Sequence, residues 1–370
     1  TISDNNANIF NKEFKESVVS RLLTYPIKSG FPNEADTMTV TFSGPENDRK
    51  LMLIDSNKKK VNIKNELRCF YIKCEFLPIQ EDTKKLQKVL FKFPISCKDL
   101  TREAMSKVEY KEVLIELDIE QINKAALLGL QDDSMKPGWE FISNSNSNTD
   151  NNQQTKYFST NFLFYSNDMR KGVVIENEKL NLSILEYFGT DHRIIYCSTP
   201  EDVYEKSYLD KEKLLPFNRE TSIVWFPDLA PYLIIQQEDI DEINEILKSN
   251  GCDPVEALAF RPNIIIKGCE KNLVEKASWL KIGGNLLRRV ANCGRCTAVT
   301  LNFEKGVFNK NKEPLDSLSD YKFDESLLDT TFGGYYVLES IEEDKFKEKN
   351  KGLTEKKALI KIGEKVVIGV

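Results

Sequence analysis

The chain has one histidine, His192, in 370 residues. Ser-His and Cys-His catalysis both need an imidazole placed beside the nucleophile. A lone histidine in "GTDHRII" almost removes both, and it reads as a structural residue. Excess positive charge is also missing: the net charge is −6 and the pI is near 5.3. A nucleic-acid binder would show a basic stripe, so that class is set aside. Local runs such as "NKKKVNIK" and "KFKEKNKG" read as solvated surface. Long apolar runs are absent. The longest, "PYLII" and "NIII", are strand-sized and far short of the roughly 18 residues that span a bilayer, so no transmembrane segment is expected. Cysteine is sparse, with eight at 69, 74, 97, 197, 252, 269, 293 and 296. That density excludes a disulfide scaffold and points to buried free thiols in a reducing compartment, hence a chain that is not secreted. No glycine-rich phosphate loop is present either; "KIGGN" and "FGGYY" read as turns. The chain opens on Thr1 without Met, which leaves room for a leader or anchor ahead of it.

What is present is mostly β-like. "RLLTYPIKSG", "DTMTVTFSG", "RKLMLIDS" and "LRCFYIKCEFLPI" alternate or run apolar over strand lengths between Gly, Pro and Asn. "KKLQKVLFKF" and "YKEVLIELDI" continue the pattern. "ISNSNSNTDNNQQT", residues 142–155, is too polar to order itself and reads as a flexible insertion. "EKLNLSILEYFG" has helical spacing and a glycine stop, followed by the strand "HRIIYCS". A second region opens at "SIVWFPDLAPYLII". From Glu238 it predicts a helix carrying Ile240, Ile243 and Leu247 inward, with Gly251 as its end. "FRPNIIIKG" predicts a strand, and "SWLKIGGNLLRRVANC" a strand, tight turn and strand. "TAVTLNFEKGVF" and "GGYYVLESI" predict further strands, and "ALIKIGEKVVIGV" a closing hairpin. The expected class is mainly β with some α (α+β), built on β-barrels.

The chemistry concentrates in "RVANCGRCTAVTLN". Cys293 and Cys296 form a CxxC, which admits a zinc pair, a redox dithiol, two packed core cysteines or a thiolate held out for another metal. Structural zinc wants a second pair, and Cys69 with Cys74 has a loose spacing. A redox dithiol sits where a strand enters a helix, whereas a strand is expected directly after Cys296. Arg295 lies beside Cys296, and a cysteine in a positive field is the more readily a thiolate, the soft ligand that transition metals accept. "YPIKSG" offers Lys28 and Ser29, "DRK" offers Arg49, and "FRPN" offers Arg261 with Asn263. These are groups suited to an anionic cofactor, guanidinium above all. Singly, each basic residue is the ordinary half of a surface ion pair.

In this order the motifs resemble one family. "YPIKS", "DR", "PYLII", "FRPNIII", "SW…IG", "RVANCGRCTAVTLN", "EPLDSL", "FGGYYVLES" and "IGEKVVI" are similar to the MOSC superfamily, named for the C-terminal domain of molybdenum cofactor sulfurase. Within it they resemble the mitochondrial amidoxime-reducing component group. The resemblance is continuous from about residue 221 and patchy over 20–80. It implies an N-terminal β-barrel domain at 16–220, carrying the insertion near 142–155, packed with a MOSC β-barrel domain at 221–370. It also implies a molybdenum–molybdopterin cofactor with Cys296 as the metal's thiolate ligand and catalytic centre. Lys28, Ser29 and Arg49 would hold the pterin phosphate and its surroundings, and Arg261, Asn263 and Arg295 would line the cofactor from the MOSC side. Cys293 would be a neighbour only. The implied activity is reduction of small N-hydroxylated substrates, fed by a flavoprotein reductase and a b-type cytochrome, in mitochondria or else the cytoplasm.

The sequence departs from the family's pattern at several points. Gly30 stands where the family often has cysteine. Leu229 and Ala230 stand where a hydroxyl pair commonly reaches the phosphate, and each lost hydroxyl removes a hydrogen bond to a charged group worth roughly 1.5–3 kcal/mol. The family's Arg-Asp-Cys-Gly stretch has no match; "KGVVIENEKLNLS" lies in its place. The alternative these departures raise is a MOSC-fold protein that has lost molybdenum and works as a non-catalytic binding or assembly component.

Overall fold

A computed structural model describes residues 17–79, 86–95, 101–128, 155–165, 168–198, 201–203, 213–218, 222–303, 305–341 and 357–370. The polar stretch 142–155 lies outside them, apart from Thr155. The fold is α+β, with strands dominant. Two compact units are each discontinuous in sequence. One comprises Thr1–Thr24, Glu34–Asp48 and Pro200–Val370, the other Tyr25–Asn33 and Arg49–Thr199.

The first unit is built on a nine-stranded sheet. Its long members run in the order Val18–Thr24, Ile264–Lys267, Tyr232–Gln236, Asp329–Ser340, Asn285–Gly294, Trp279–Ile282 and Val366–Gly369. Its one parallel step among these joins Tyr232–Gln236 to Ile264–Lys267, and the helix Gln237–Ser249 makes the crossover such a step requires. That helix buries Ile240, Ile243 and Leu247, one face at three- and four-residue spacing, as expected. Tyr232, Ile234, Ile264, Ile266, Leu280, Leu287, Leu338 and Ile368 fill the core beneath the sheet.

The barrel expectation is met only by an open sheet: no closed barrel forms among the described residues. Outside the sheet's strand pairings, Val18 makes one isolated bridge to Lys365, flanked by hydrogen bonds from Val19 N to Glu364 O and from Val366 N to Ser17 O. "ALIKIGEKVVIGV" is likewise not a hairpin. Ala358–Lys361 pairs with Thr37–Thr41, whereas Val366–Gly369 pairs with Trp279–Ile282. The turn between them sends the strands apart because Gly363 N donates to Val19 O and Lys361 N to the Glu364 carboxylate.

The second unit carries a five-stranded sheet and a three-stranded antiparallel meander, Lys73–Phe76, Leu86–Pro94 and Tyr110–Asp118. Its core gathers Leu51, Leu53, Phe91, Phe93, Val113, Ile115, Ile175, Ile184 and Ile194. The helix Glu178–Phe188 starts on an Asn177 side-chain cap and ends at Gly189, as its spacing predicts. The first half of "LRCFYIKCEF" is not a strand. Leu67–Tyr71 is a 3-10 helix capped by Glu66, and three consecutive buried residues, Cys69, Phe70 and Tyr71, hid that from a search for alternation.

Candidate functional site

The CxxC splits its two thiols between core and solvent. Cys293 is buried near the end of the Asn285–Gly294 strand, packed with Val224, Leu229, Ala230, Val290 and Tyr335. Burial pushes its thiol upward, an effect Arg295 only partly opposes. Beyond Gly294 the strand stops, and Arg295 N donates to Thr330 O at 2.7 Å. Cys296 follows with extended backbone and an exposed side chain. The segment after it corrects the expected strand. Thr297–Thr300 is a 3-10 turn for which Cys296 is the N-terminal cap residue, and only Leu301–Asn302 pairs as strand. A four-residue turn is too short to act as the helix terminus of a dithiol redox site.

Arg295 is a clamp. Its Nε donates to Phe332 O at 2.9 Å, its Nη2 donates to the same carbonyl, and its Nη1 donates to Phe260 O at 2.8 Å. The guanidinium lies 5.3 Å from the Phe260 ring centroid and 6.0 Å from that of Phe332. The two rings stack at 4.1 Å and 18°. Arg295 therefore locks the turn that ends in Arg261 to the Asp329–Ser340 strand. Arg261 caps the 3-10 helix Ala257–Phe260 in the left-handed region, with φ of 55°.

Asn263 is buried, and its amide is committed within its own unit. Oδ1 accepts from Leu233 N at 3.1 Å, and Nδ2 donates to Leu23 O at 3.2 Å and to Asp48 Oδ1 at 3.1 Å. Arg261, Asn263, Arg295 and Cys296 thus all belong to one unit, and Lys28, Ser29 and Arg49 to the other.

In that other unit Lys28 N donates to Leu51 O and Arg49 N to Tyr25 O, both at 2.7 Å. These bonds draw the two segments together. Ser29 and Arg49 are left-handed, with φ of 68° and 48°. Gly30 is tightly packed, since a Cβ there would overlap Ile27 Cγ2. Lys28 is buried and its Nζ lies 4.9 Å from the Phe164 ring centroid. Lys60 Nζ lies 4.1 Å and Arg170 Cζ 3.6 Å from the same centroid. Three cations share one ring, and sequence reasoning missed two of them. Lys60 belongs to the "NKKK" run read as solvated surface, and its convergence with Arg170 depends on pairing between strands remote in sequence.

The other readings of the sequence find little in the fold. Among the described residues no group of three His, Cys, Asp or Glu side chains is disposed to hold a metal ion. His192 is buried against Phe188, with Nδ1 at 3.0 Å from Asp191 O and Nε2 at 3.2 Å from Thr190 Oγ1. Burial pushes its pKa down, as for a structural histidine. Leu229 and Ala230 are buried in the apolar cluster that holds Cys293. A pocket beside the Thr297–Thr300 turn is lined by Val255, Glu256, Thr300, Asn302, Asn309 and Glu313.

Residues 222–367 match the family model described as MOSC domain. Over this segment the chain is similar to the MOSC domain family. Arg261, Asn263, Cys293, Arg295 and Cys296 lie inside the match, whereas Lys28, Ser29 and Arg49 lie outside it. Mitochondrial amidoxime-reducing component 1 of Xenopus laevis is 33% identical over 135 residues, 35% of this chain and 37% of that protein. The protein of the same name from Danio rerio is 31% identical over 163 residues, 44% of this chain and 48% of its own length. Molybdenum cofactor sulfurase of Oryza sativa subsp. japonica is 27% identical over 151 residues, 40% of this chain and 18% of that protein. The matched segment thus spans less than half of the length of these relatives. No helix among the described residues is long and apolar enough to cross a membrane.

Proposed function

We propose that this chain holds a molybdenum–molybdopterin cofactor through Cys296 and reduces small N-hydroxylated compounds at their N–O bond. The observation that carries the reading is the exposed Cys296 thiol beside the Arg295 clamp, inside the segment similar to the MOSC domain family. The donor set fits the group. Within the unit that holds it, the Cys296 thiolate is the soft ligand that such a metal takes; taken by themselves, Lys28, Lys60 and Arg170 gathered on Phe164 in the other unit suit an anionic group. When bound, the cofactor supplies a two-electron centre able to take the oxygen of an N–O bond. Two electrons and two protons then convert N–OH to N–H and water.

The chain's own part is binding and orientation. Arg295 spends its donors on two carbonyls, so its task is to hold Cys296 and Arg261 in place. Asn263 acts in the same way on the strand ends around it. Ser29 and Arg49 present their side chains from left-handed backbone. The electrons come, on this reading, from a flavoprotein reductase through a b-type cytochrome, and the location is mitochondrial, as the names of the amidoxime-reducing relatives have it. Leu229 and Ala230 favour a second reading, a MOSC-fold protein without molybdenum that serves as a binding or assembly component, because apolar packing fills a position suited to a hydroxyl pair.

Metal analysis of protein from a host that makes molybdenum cofactor separates the two. The first predicts one molybdenum per chain, lost in Cys296→Ser and kept in Cys293→Ser. Wild-type protein that emerges from such a host without molybdenum overturns it and leaves the second.

A further inference from the structure

Behind the Arg295 clamp lies a charged group that no step above uses. Lys322 Nζ donates to Asp239 Oδ2 at 2.6 Å and to Glu275 Oε2 at 2.7 Å, and all three side chains are more than nine-tenths buried. Two carboxylates and one ammonium in such a setting are held only if the remaining lone pairs are satisfied. They are satisfied by backbone. Asp239 Oδ1 accepts from Asn272 N at 2.8 Å, and Glu275 Oε1 accepts from Gly333 N at 2.6 Å. Lys322 Nζ also lies 4.8 Å from the Phe332 ring centroid, and Thr331 N donates to Lys322 O at 2.9 Å.

The segment Thr330–Gly333 is therefore gripped from two sides. Glu275 and Lys322 hold Gly333 N, the Phe332 ring and Thr331 N. Thr330 O and Phe332 O accept from the backbone and guanidinium of Arg295, the residue before Cys296. Phe260 O, next to Arg261, closes the same chain of contacts.

We propose that Asp239, Lys322 and Glu275 are positioning residues for the Cys296 loop, acting through the Gly333 amide, Phe332 and the Arg295 clamp. The proposal rests on the reading of Cys296 as metal ligand, but its geometry is a property of the polypeptide. Its test accordingly uses protein made in a host without molybdenum cofactor. Glu275→Ala removes the acceptor for Gly333 N and leaves Lys322 paired with Asp239. Glu275→Gln keeps an oxygen to accept from Gly333 N but, its NH2 being a donor only, gives up the bond from Lys322, which stays paired with Asp239.

In Glu275→Ala, hydrogen exchange at the Arg295 and Gly333 amides is expected to quicken roughly tenfold or more, the factor for loss of one hydrogen bond to a charged group. Alkylation by iodoacetamide of the peptide that carries Cys296 is expected to change by about threefold or more. The Leu280 amide, in the same unit, is expected to keep its rate, and Glu275→Gln to return all readouts to near the wild-type values. Should Glu275→Ala not fold, Glu275→Asp, one methylene short of Gly333 N, carries the same expectations. Wild-type rates at Arg295 and Cys296 in a folded variant overturn the proposal, as does uniform acceleration that includes Leu280. In a cofactor-making host, Glu275→Ala is further expected to retain less molybdenum than wild type. An empty wild-type protein there would sink the molybdenum reading while leaving the exchange and alkylation results to decide the positioning role.

Discussion

Ser29, Arg49 and Arg261 sit at positive φ, and only eight non-glycine residues among those described do so. Strain of this kind persists where its surroundings over-determine it. None of it was legible in the sequence, because serine and arginine carry no signal for left-handed backbone as glycine or asparagine would. Cys296 and Cys293, by contrast, were given different roles by the family resemblance, with the arginine beside Cys296 as the local sign. Ser29→Gly tests the strain. Relief of left-handed backbone at about 1–2 kcal/mol is offset by about 0.5–1 kcal/mol of glycine's lost chain entropy, so the variant is expected to be slightly more stable. It is also expected to retain less molybdenum. Urea denaturation and metal analysis on the same preparation check both halves, and a variant that is less stable with unchanged metal would remove the functional reason for the strain.

At the scale of elements, the strand Asp329–Ser340 organises the surroundings of Arg295 and Cys296. It pairs with both Tyr232–Gln236 and Asn285–Gly294, and it gives its Thr330 and Phe332 carbonyls to Arg295. "FGGYYVLES" was readable as a strand, but its kink was not, because the requirement lies in other strands. Gly333 has φ of 80°, and a Cβ there would come within 2.5 Å of Ile235 Cγ2 and 2.7 Å of Ile234 O, the latter on backbone that cannot yield. Gly333→Ala is expected to destabilise this unit by about 2 kcal/mol or more, from left-handed strain plus overpacking. For a unit of this size that is a fall of several degrees in Tm. Scanning calorimetry checks it, and an unchanged Tm would mean the strand's path does not depend on this glycine. The same distance between cause and effect misled the reading of "TAVTLNF" and "ALIKIGEKVVIGV". Their residues alternate as strands do, yet the backbone bond from Val299 N to Cys296 O and the hydrogen bonds of the Gly363 turn decide what they become.

Across the whole molecule, α+β composition and most strands were legible because periodicity is local. The discontinuous units were not, since the pairing of Val18–Thr24 with Ile264–Lys267 joins segments remote in sequence. The buried charges escaped for the same reason: Asp239, Glu275 and Lys322 look like solvated surface residues in the text. Their effect on stability has a defined sign. Burial, reinforced by Asp239 and opposed by Lys322, raises Glu275 above the usual 4.5. Below 4.5 it is protonated in folded and unfolded chains alike. As pH rises from there through the raised folded value, the unfolded chain releases the proton first, and this residue's contribution to stability falls by about 1.36 kcal/mol per unit of pKa difference. Glu34 runs the other way: its hydrogen bonds from Arg21 lower its pKa, so its stabilisation is present above 4.5 and is lost as pH falls through the depressed folded value. Measuring Glu275→Gln against wild type cancels such opposing groups. The difference in unfolding free energy should move in favour of the glutamine variant as pH rises above 4.5, then level off once the folded pKa is passed. Urea unfolding followed by fluorescence reports it, since Trp225 and Trp279 belong to the same unit as Glu275 and Trp139 can be replaced by Phe. A difference that is flat over that range, or that favours wild type as pH rises, would show that Lys322 fully compensates the buried carboxylate, and that the triad holds Gly333 as a settled ion pair with no cost to offset.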